Sequence, residues 1–164
     1  GHQMHRTHSI SFRALNALFG HAGIEWNVTE ASEEELAVLK DYIAFYKKNR
    51  DLLHSGNVVR SDVIQGNAQM YGTVSQDKKH AVFTYMQLTS LDNFGPLVAT
   101  FDGLDAKTVY TVTANEKLSA TDYLQKVHPG WWPTMKMTGE QLANIGLQLP
   151  VFKPESGLLF EINA

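Results

Sequence analysis

Apolar residues recur at helical spacing in the first third of the chain and at alternate positions in the rest, with the change near Gly56. Phe12, Leu15, Leu18 and Phe19 trace one face of a short helix that Thr7 or Ser9 can cap. Gly20 and Gly23 then interrupt the helix around Ala22-Gly23-Ile24-Glu25-Trp26, which reads as a buried strand. The next helix has the clearest start signal. Ser32 and Glu35 have capping-box spacing, in which hydroxyl and carboxylate each satisfy an unpaired backbone N–H. Glu33, Glu34 and Glu35 sit at its positive end, and Lys47, Lys48 and Arg50 lie towards its negative end. Gly56 is expected to stop it in a left-handed conformation. On a helical wheel, Leu36, Val38, Leu39, Tyr42, Ile43, Phe45, Tyr46, Leu52 and Leu53 cover roughly 200°, about twice the stripe that one core requires. This helix is expected to have a neighbour on each flank.

Beyond Gly56 the pattern predicts strands over 58–64, 69–75, 80–88, 97–101, 109–114 and 158–162. Leu158, Phe160 and Ile162 alternate with Leu159, Glu161 and Asn163, as in a sheet with one face inward. The run Ser75-Gln76-Asp77-Lys78-Lys79 is expected to be a hairpin loop, and Asp102-Gly103 another turn. Thr138 and Gln141 start a short helix, with Leu142 and Ile145 on its apolar side and Gly146 at its end. Short strands with little helix between them imply an antiparallel sandwich.

Composition narrows the function more than the fold. The 164 residues carry a net charge of −3, so nothing points to nucleic acid. No apolar run approaches the length a membrane helix needs, so no membrane association is expected. The absence of cysteine excludes disulfides, cysteine–zinc sites and thiol catalysis, and fits a reducing compartment, here taken as the cytoplasm. The opening Gly1-His2-Gln3 has no initiator Met, which fits a piece of something larger.

Candidate chemistry is sparse. His2, His5 and His8 recur every three residues and His21 follows, yet no carboxylate sits beside them; they are expected to be surface histidines, with no metal site. Trp131-Trp132 could present a flat face to a sugar or simply pin a loop to the sheet. Glu25 is the one carboxylate placed as an active site would want, but glycosidase chemistry needs two. Asp62, Asp102, Asp105 and Asp122 fall at turns and strand edges, and Glu25 is expected to pair with Arg13, Arg50 or a helix N-terminus. The sequence contains neither a nucleophile elbow nor a phosphate loop. No catalytic residue and no cofactor are assigned.

Several segments in order carry a resemblance. They are His2-Gln3 with Thr7 and Arg13; Ala22-Gly23-Ile24-Glu25-Trp26-Asn27; Ile43-Ala44-Phe45-Tyr46-Lys47; and Arg50-Asp51-Leu52-Leu53-His54-Ser55-Gly56. Downstream come Gly103-Leu104-Asp105, Tyr110, Gly146-Leu147-Gln148-Leu149-Pro150 and Pro154-Glu155-Ser156-Gly157. Together they resemble the C-terminal portion of microbial α-galactosidases of glycoside hydrolase family 36.

That resemblance implies an α+β fragment: the last helices and last strand of a (β/α)₈ barrel over residues 1–56, then an all-β antiparallel sandwich domain over 57–164. Residues 12–20 would be the barrel's seventh helix, 23–27 its eighth strand and 32–55 its eighth helix. Trp26 and Asn27 would then lie near substrate, at the C-terminal end of a barrel strand. The family's two catalytic aspartates lie in Lys-x-Asp and Ser-Asp-x-x-Asp motifs, neither of which occurs here; Ser61-Asp62 is followed by Gln65 where the second aspartate belongs. Asn27 stands where the family commonly has Asp, and Gly1 where Asn usually precedes His-Gln. The implied partners are the rest of the barrel, a galactoside substrate for the whole protein, and further copies in a homo-oligomer. The alternative from another class is a free-standing carbohydrate-binding β-module using Trp131 and Trp132.

Overall fold

A computed structural model describes residues 7–61, 67–91, 97–125 and 127–164. Helix α1 (Ile10–Ala17) is capped by Ser9, whose Oγ accepts from the Phe12 N–H at 3.2 Å. Helix α2 (Glu33–Ser55) begins with the full capping box: the Ser32 Oγ accepts from the Glu35 N–H, and the Glu35 carboxylate accepts from the Ser32 N–H at 2.9 Å. Its end differs from expectation. Gly56 is extended, with φ −74° and ψ 169°, and not left-handed. Glycine is needed there because a Cβ would overlap the Thr73 side chain and crowd the Leu52 and Val74 carbonyl oxygens.

Six strands form one antiparallel sheet: β1 (Asn57–Ser61), β2 (Ala68–Val74), β3 (His80–Gln87), β5 (Val109–Ala114), β6 (Thr134–Thr138) and β8 (Ser156–Asn163), in the order β1-β2-β3-β8-β5-β6. A two-stranded ribbon of β4 (Val98–Ala99) and β7 (Leu147–Gln148) lies outside that sheet. The loop at 75–79 joins β2 to β3 as a hairpin, with Lys78 at φ +57° and the Asp77 carboxylate accepting from the Lys79 N–H. Helix α3 (Gly139–Asn144) carries the Thr138–Gln141 capping box, and left-handed Gly146 at φ +68° follows it. Strands β6 and β7 were not predicted. The predicted strand over 58–64 is seen only to Ser61, because 62–66 lie outside the described residues.

Leu158, Phe160 and Ile162 face inward as expected, but Leu159 is buried too, because both faces of the sheet are covered. On one face, Phe83, Tyr85, Leu158, Phe160 and Ile162 pack against Phe101, Leu142, Leu147, Leu149 and Phe152. The Phe101 ring stands edge-on to Phe83 and to Phe160. On the other face, Val82, Met86 and Leu159 meet Phe12, Leu15 and Leu18 of α1 and Tyr42, Phe45, Leu52 and Leu53 of α2. A buried polar contact fixes α2 there. The Asn49 Nδ2 donates to the Phe45 carbonyl, and its Oδ1 lies 3.0 Å from His80 Nε2.

One expected element is absent. Residues 21–27 form no strand, and Ala22 to Glu25 are exposed. A parallel strand takes its hydrogen bonds from neighbouring strands, and among the described residues none runs beside this segment. The segment instead crosses the exposed flank of the two helices.

Candidate functional site

That crossing encloses a groove of about 470 Å³ between α1, residues 22–26 and α2. Ala14 and Ala17 supply small side chains from one wall; Leu39, Tyr42 and Ile43 supply apolar surface from the other. Arg13, Lys47 and Arg50 bring positive charge to it, and Glu25 the one carboxylate. The Arg13 guanidinium sits 5.8 Å from the centre of the half-buried Trp26 ring, a cation–π distance. Glu25 is exposed, and among the described residues it forms no ion pair with Arg13 or Arg50, contrary to expectation.

Tyr42 gives the groove its most unusual chemistry. The residue is 8% exposed, and among the described residues its hydroxyl has no hydrogen-bond partner. Burial, helped by the nearby Tyr46, pushes its pKa up to about 12. An unpaired buried hydroxyl costs free energy until an acceptor reaches it. No sequence signal pointed to it beyond the breadth of the apolar arc of α2.

Asn27 is committed locally. Its Oδ1 accepts from the Thr29 N–H at 3.2 Å and the Thr29 hydroxyl at 2.7 Å, while its Nδ2 donates to Glu30 at 2.8 Å. It thereby caps a single 3₁₀ turn (Val28–Glu30) leading towards α2.

Trp131 and Trp132 lie elsewhere, packed against the sheet face opposite the helices, so they do not converge with Trp26. Both are half-buried. The Trp131 Nε1–H donates to the Gln148 carbonyl at 2.8 Å, and the Trp132 ring is stacked on His128 at 4.8 Å. Nearby, Tyr123 donates to Glu116 at 2.8 Å, and burial with that bond raises its pKa to about 12.

The turn carboxylates behave as turn residues. The Thr108 hydroxyl and N–H hold Asp105 below the usual carboxylate range, and the Ser75 hydroxyl and the Lys79 N–H do the same for Asp77. Both favour the ionised form, the reverse of what a general acid requires. Asp122 pairs with Lys153 at 2.9 Å. Asp102 stands exposed in its turn. His2, His5 and Asp62 fall outside the described residues. His8 lies 3.1 Å from Glu155, and the His21 ring lies beside that of His54.

Comparison with known proteins accounts for both halves. Residues 1–56 match the Melibiase family model, and residues 68–158 match that of the glycosyl hydrolase family 36 C-terminal domain. An α-galactosidase of Escherichia coli is 34% identical over 98% of this chain and 24% of its own length. The α-galactosidase AgaA of Geobacillus stearothermophilus is 30% identical over 68% of the chain. Among solved structures, the α-galactosidase of Lactobacillus brevis superposes with a TM-score of 0.80 at 28% identity, over the whole chain and 21% of its own. AgaA in complex with raffinose superposes equally well at 23% identity. The chain thus spans about a quarter of the length of the E. coli relative. With most of its second half matched by that C-terminal domain and nearly its whole length by an α-galactosidase, the chain belongs to glycosyl hydrolase family 36.

Proposed function

We propose that this chain is the C-terminal part of a retaining α-galactosidase that hydrolyses terminal α-galactosides such as melibiose and raffinose. Residues 1–56 complete the catalytic barrel, residues 57–164 form the domain that braces it, and no cofactor takes part. The observation that carries this reading is the end-to-end likeness to the E. coli α-galactosidase. The open flank of α2 supports it: Leu39, Tyr42 and Ile43 line a groove that a barrel interior would fill. The absence of both aspartate motifs assigns the chemistry to upstream residues. Trp26 and Asn27 approach the substrate from the barrel side, as positioning residues and not as the acid or the nucleophile. Cytoplasmic location and homo-oligomeric assembly of the whole protein belong to the same proposal.

Assay of residues 1–164 on an aryl α-galactoside should give no turnover. Grafting this chain in place of the matching quarter of the E. coli α-galactosidase should retain turnover. Activity of the chain alone that disappears in Glu25→Gln would sink the proposal, as would an inactive but folded graft. Calorimetric titration of the chain with galactose and raffinose should show no binding. Millimolar or tighter binding, lost in Trp132→Ala, would establish the carbohydrate-binding module in its place.

A further inference from the structure

The groove between α1, residues 22–26 and α2 is lined by three kinds of group that lack partners within the described chain. The first is backbone. Among the described residues, no main-chain N–H or carbonyl from His21 to Trp26 is paired with another main-chain group. A row of unpaired main-chain groups is what an added extended segment pairs with. The second is the Tyr42 hydroxyl. Tyr42 lines the groove and is 8% exposed, yet its hydroxyl has no hydrogen-bond partner among the described residues. Buried hydroxyls in folded proteins are nearly always paired.

The third is charge. Arg13, Lys47 and Arg50 line the groove against one carboxylate, Glu25, and among the described residues none of the three cations is in an ion pair. Along α2 the lining changes in order. Leu39, Tyr42 and Ile43 come first, then Tyr46, Lys47 and Arg50, whose guanidinium lies 5.8 Å from the centre of the Tyr46 ring. One end of the α2 wall is therefore apolar and the other cationic, and Tyr42 stands one turn before the cationic end.

We infer that the groove receives an extended segment from the polypeptide preceding residue 1, and that this segment brings a carboxylate to Tyr42, Lys47 and Arg50 and apolar side chains to Leu39 and Ile43. The inference rests on the galactosidase reading: the chain spans about a quarter of the E. coli relative's length, and the remainder supplies the occupant. A carboxylate answers both the unpaired hydroxyl and the excess positive charge, whereas a neutral carbonyl answers only the first. Once the groove is covered, a cation left there without a counter-ion carries a large desolvation cost.

The test uses the whole protein, expressed from its gene with the coding sequence that precedes residue 1. Carbodiimide coupling joins a lysine amine to a carboxylate only when the two are in contact. Lys47 should be joined to an aspartate or glutamate upstream of residue 1, read as a peptide pair by mass spectrometry. Tyr42→Phe should raise the urea midpoint of the 164-residue chain but shorten the half-life of the whole protein at raised temperature by about tenfold, through loss of a hydrogen bond to a charged group. Arg50→Glu should shorten that half-life at least as much while leaving the midpoint of the 164-residue chain unchanged. Lys47 joined instead to Glu25 overturns the proposal. So does Lys47 joined to a second copy, seen as mixed pairs between light and heavy isotope-labelled protein, or a Tyr42→Phe whole protein that lasts as long as the unaltered one. Absence of α-galactosidase activity in the whole protein sinks the galactosidase reading, while the Lys47 cross-link decides the occupant of the groove separately.

Discussion

On the face of the sheet that carries Phe83 and Phe160, the central side chains are enclosed: the ribbon, α3 and the loop bearing Phe101 seal Phe83, Tyr85, Leu158 and Phe160, while Trp131 and Trp132 pack against this core half-buried. On the opposite face, α1 and α2 bury Leu15, Leu18 and Leu53 just as completely, yet the outer flank of α2 is open at Leu39, Ile43 and Tyr46. Both layers were built from the same residue types. They differ in whether this chain supplies a cover, and Tyr42 marks the boundary: it lines the groove, yet its hydroxyl is buried and has no hydrogen-bond partner among the described residues. A closed core and a half-closed one should therefore respond differently to the same kind of substitution.

The widest separation is expected from truncating one side chain in each layer. Phe160→Ala should cost about 3–5 kcal/mol, whereas Ile43→Ala in this chain should cost no more than about 1 kcal/mol. Urea unfolding measures both, and equal losses would break the comparison. Overpacking the closed side comes next. Gly72 faces Phe83, and an added Cβ would overlap that ring, itself held against Phe101. Gly72→Ala should cost about 1–3 kcal/mol by the same measurement.

Alkaline pH should distinguish Tyr42 by a similar amount. Its hydroxyl ionises near pH 10 in the unfolded chain and at about 12 when folded. The stabilisation is therefore intact below pH 10 and is lost as pH rises from 10 towards 12, on the order of 2 kcal/mol. Burial raises the Tyr85 pKa as well, so part of the fall will survive in Tyr42→Phe. The urea midpoint should drop over that window, and less steeply in Tyr42→Phe. At neutral pH the smaller effects remain. Ser32→Ala removes the cap of α2 and should cost about 1 kcal/mol. Tyr42→Phe should raise stability by about 1 kcal/mol, since it removes a buried hydroxyl that has no hydrogen-bond partner among the described residues. A loss of stability would mean that the hydroxyl has a partner.

Local signals were legible where the chain itself provides the physics. The Ser32–Glu35 and Thr138–Gln141 boxes, the hairpin at 75–79 and the alternation in β8 need only near neighbours, and all are present. Strand β6 was missed although Met135 and Met137 alternate with Thr134, Lys136 and Thr138, because two apolar positions on a mostly exposed edge strand are a short signal. Gly56 was read for its backbone freedom, whereas its lack of a side chain is what matters against Thr73. Residues 22–26 have strand-like composition without strand neighbours. The candidate site was legible only as a broad arc on α2. Its lone hydroxyl and its arginines come together from segments far apart, which no periodicity encodes.

The position of β8 has a consequence for how the sheet is assembled. Its ladder with β3 on one side and β5 on the other is the only link between β1-β2-β3 and β5-β6 among the described residues. The hairpin of β2 and β3 can form early, from contacts close in sequence, but the two halves cannot join until residues 156–163 arrive between them. Long-range closure of this kind slows folding. During synthesis two half-sheets would thus wait, with Phe83 of β3 and Val112 of β5 still facing no partner strand, until residues 156–163 emerged and locked them together.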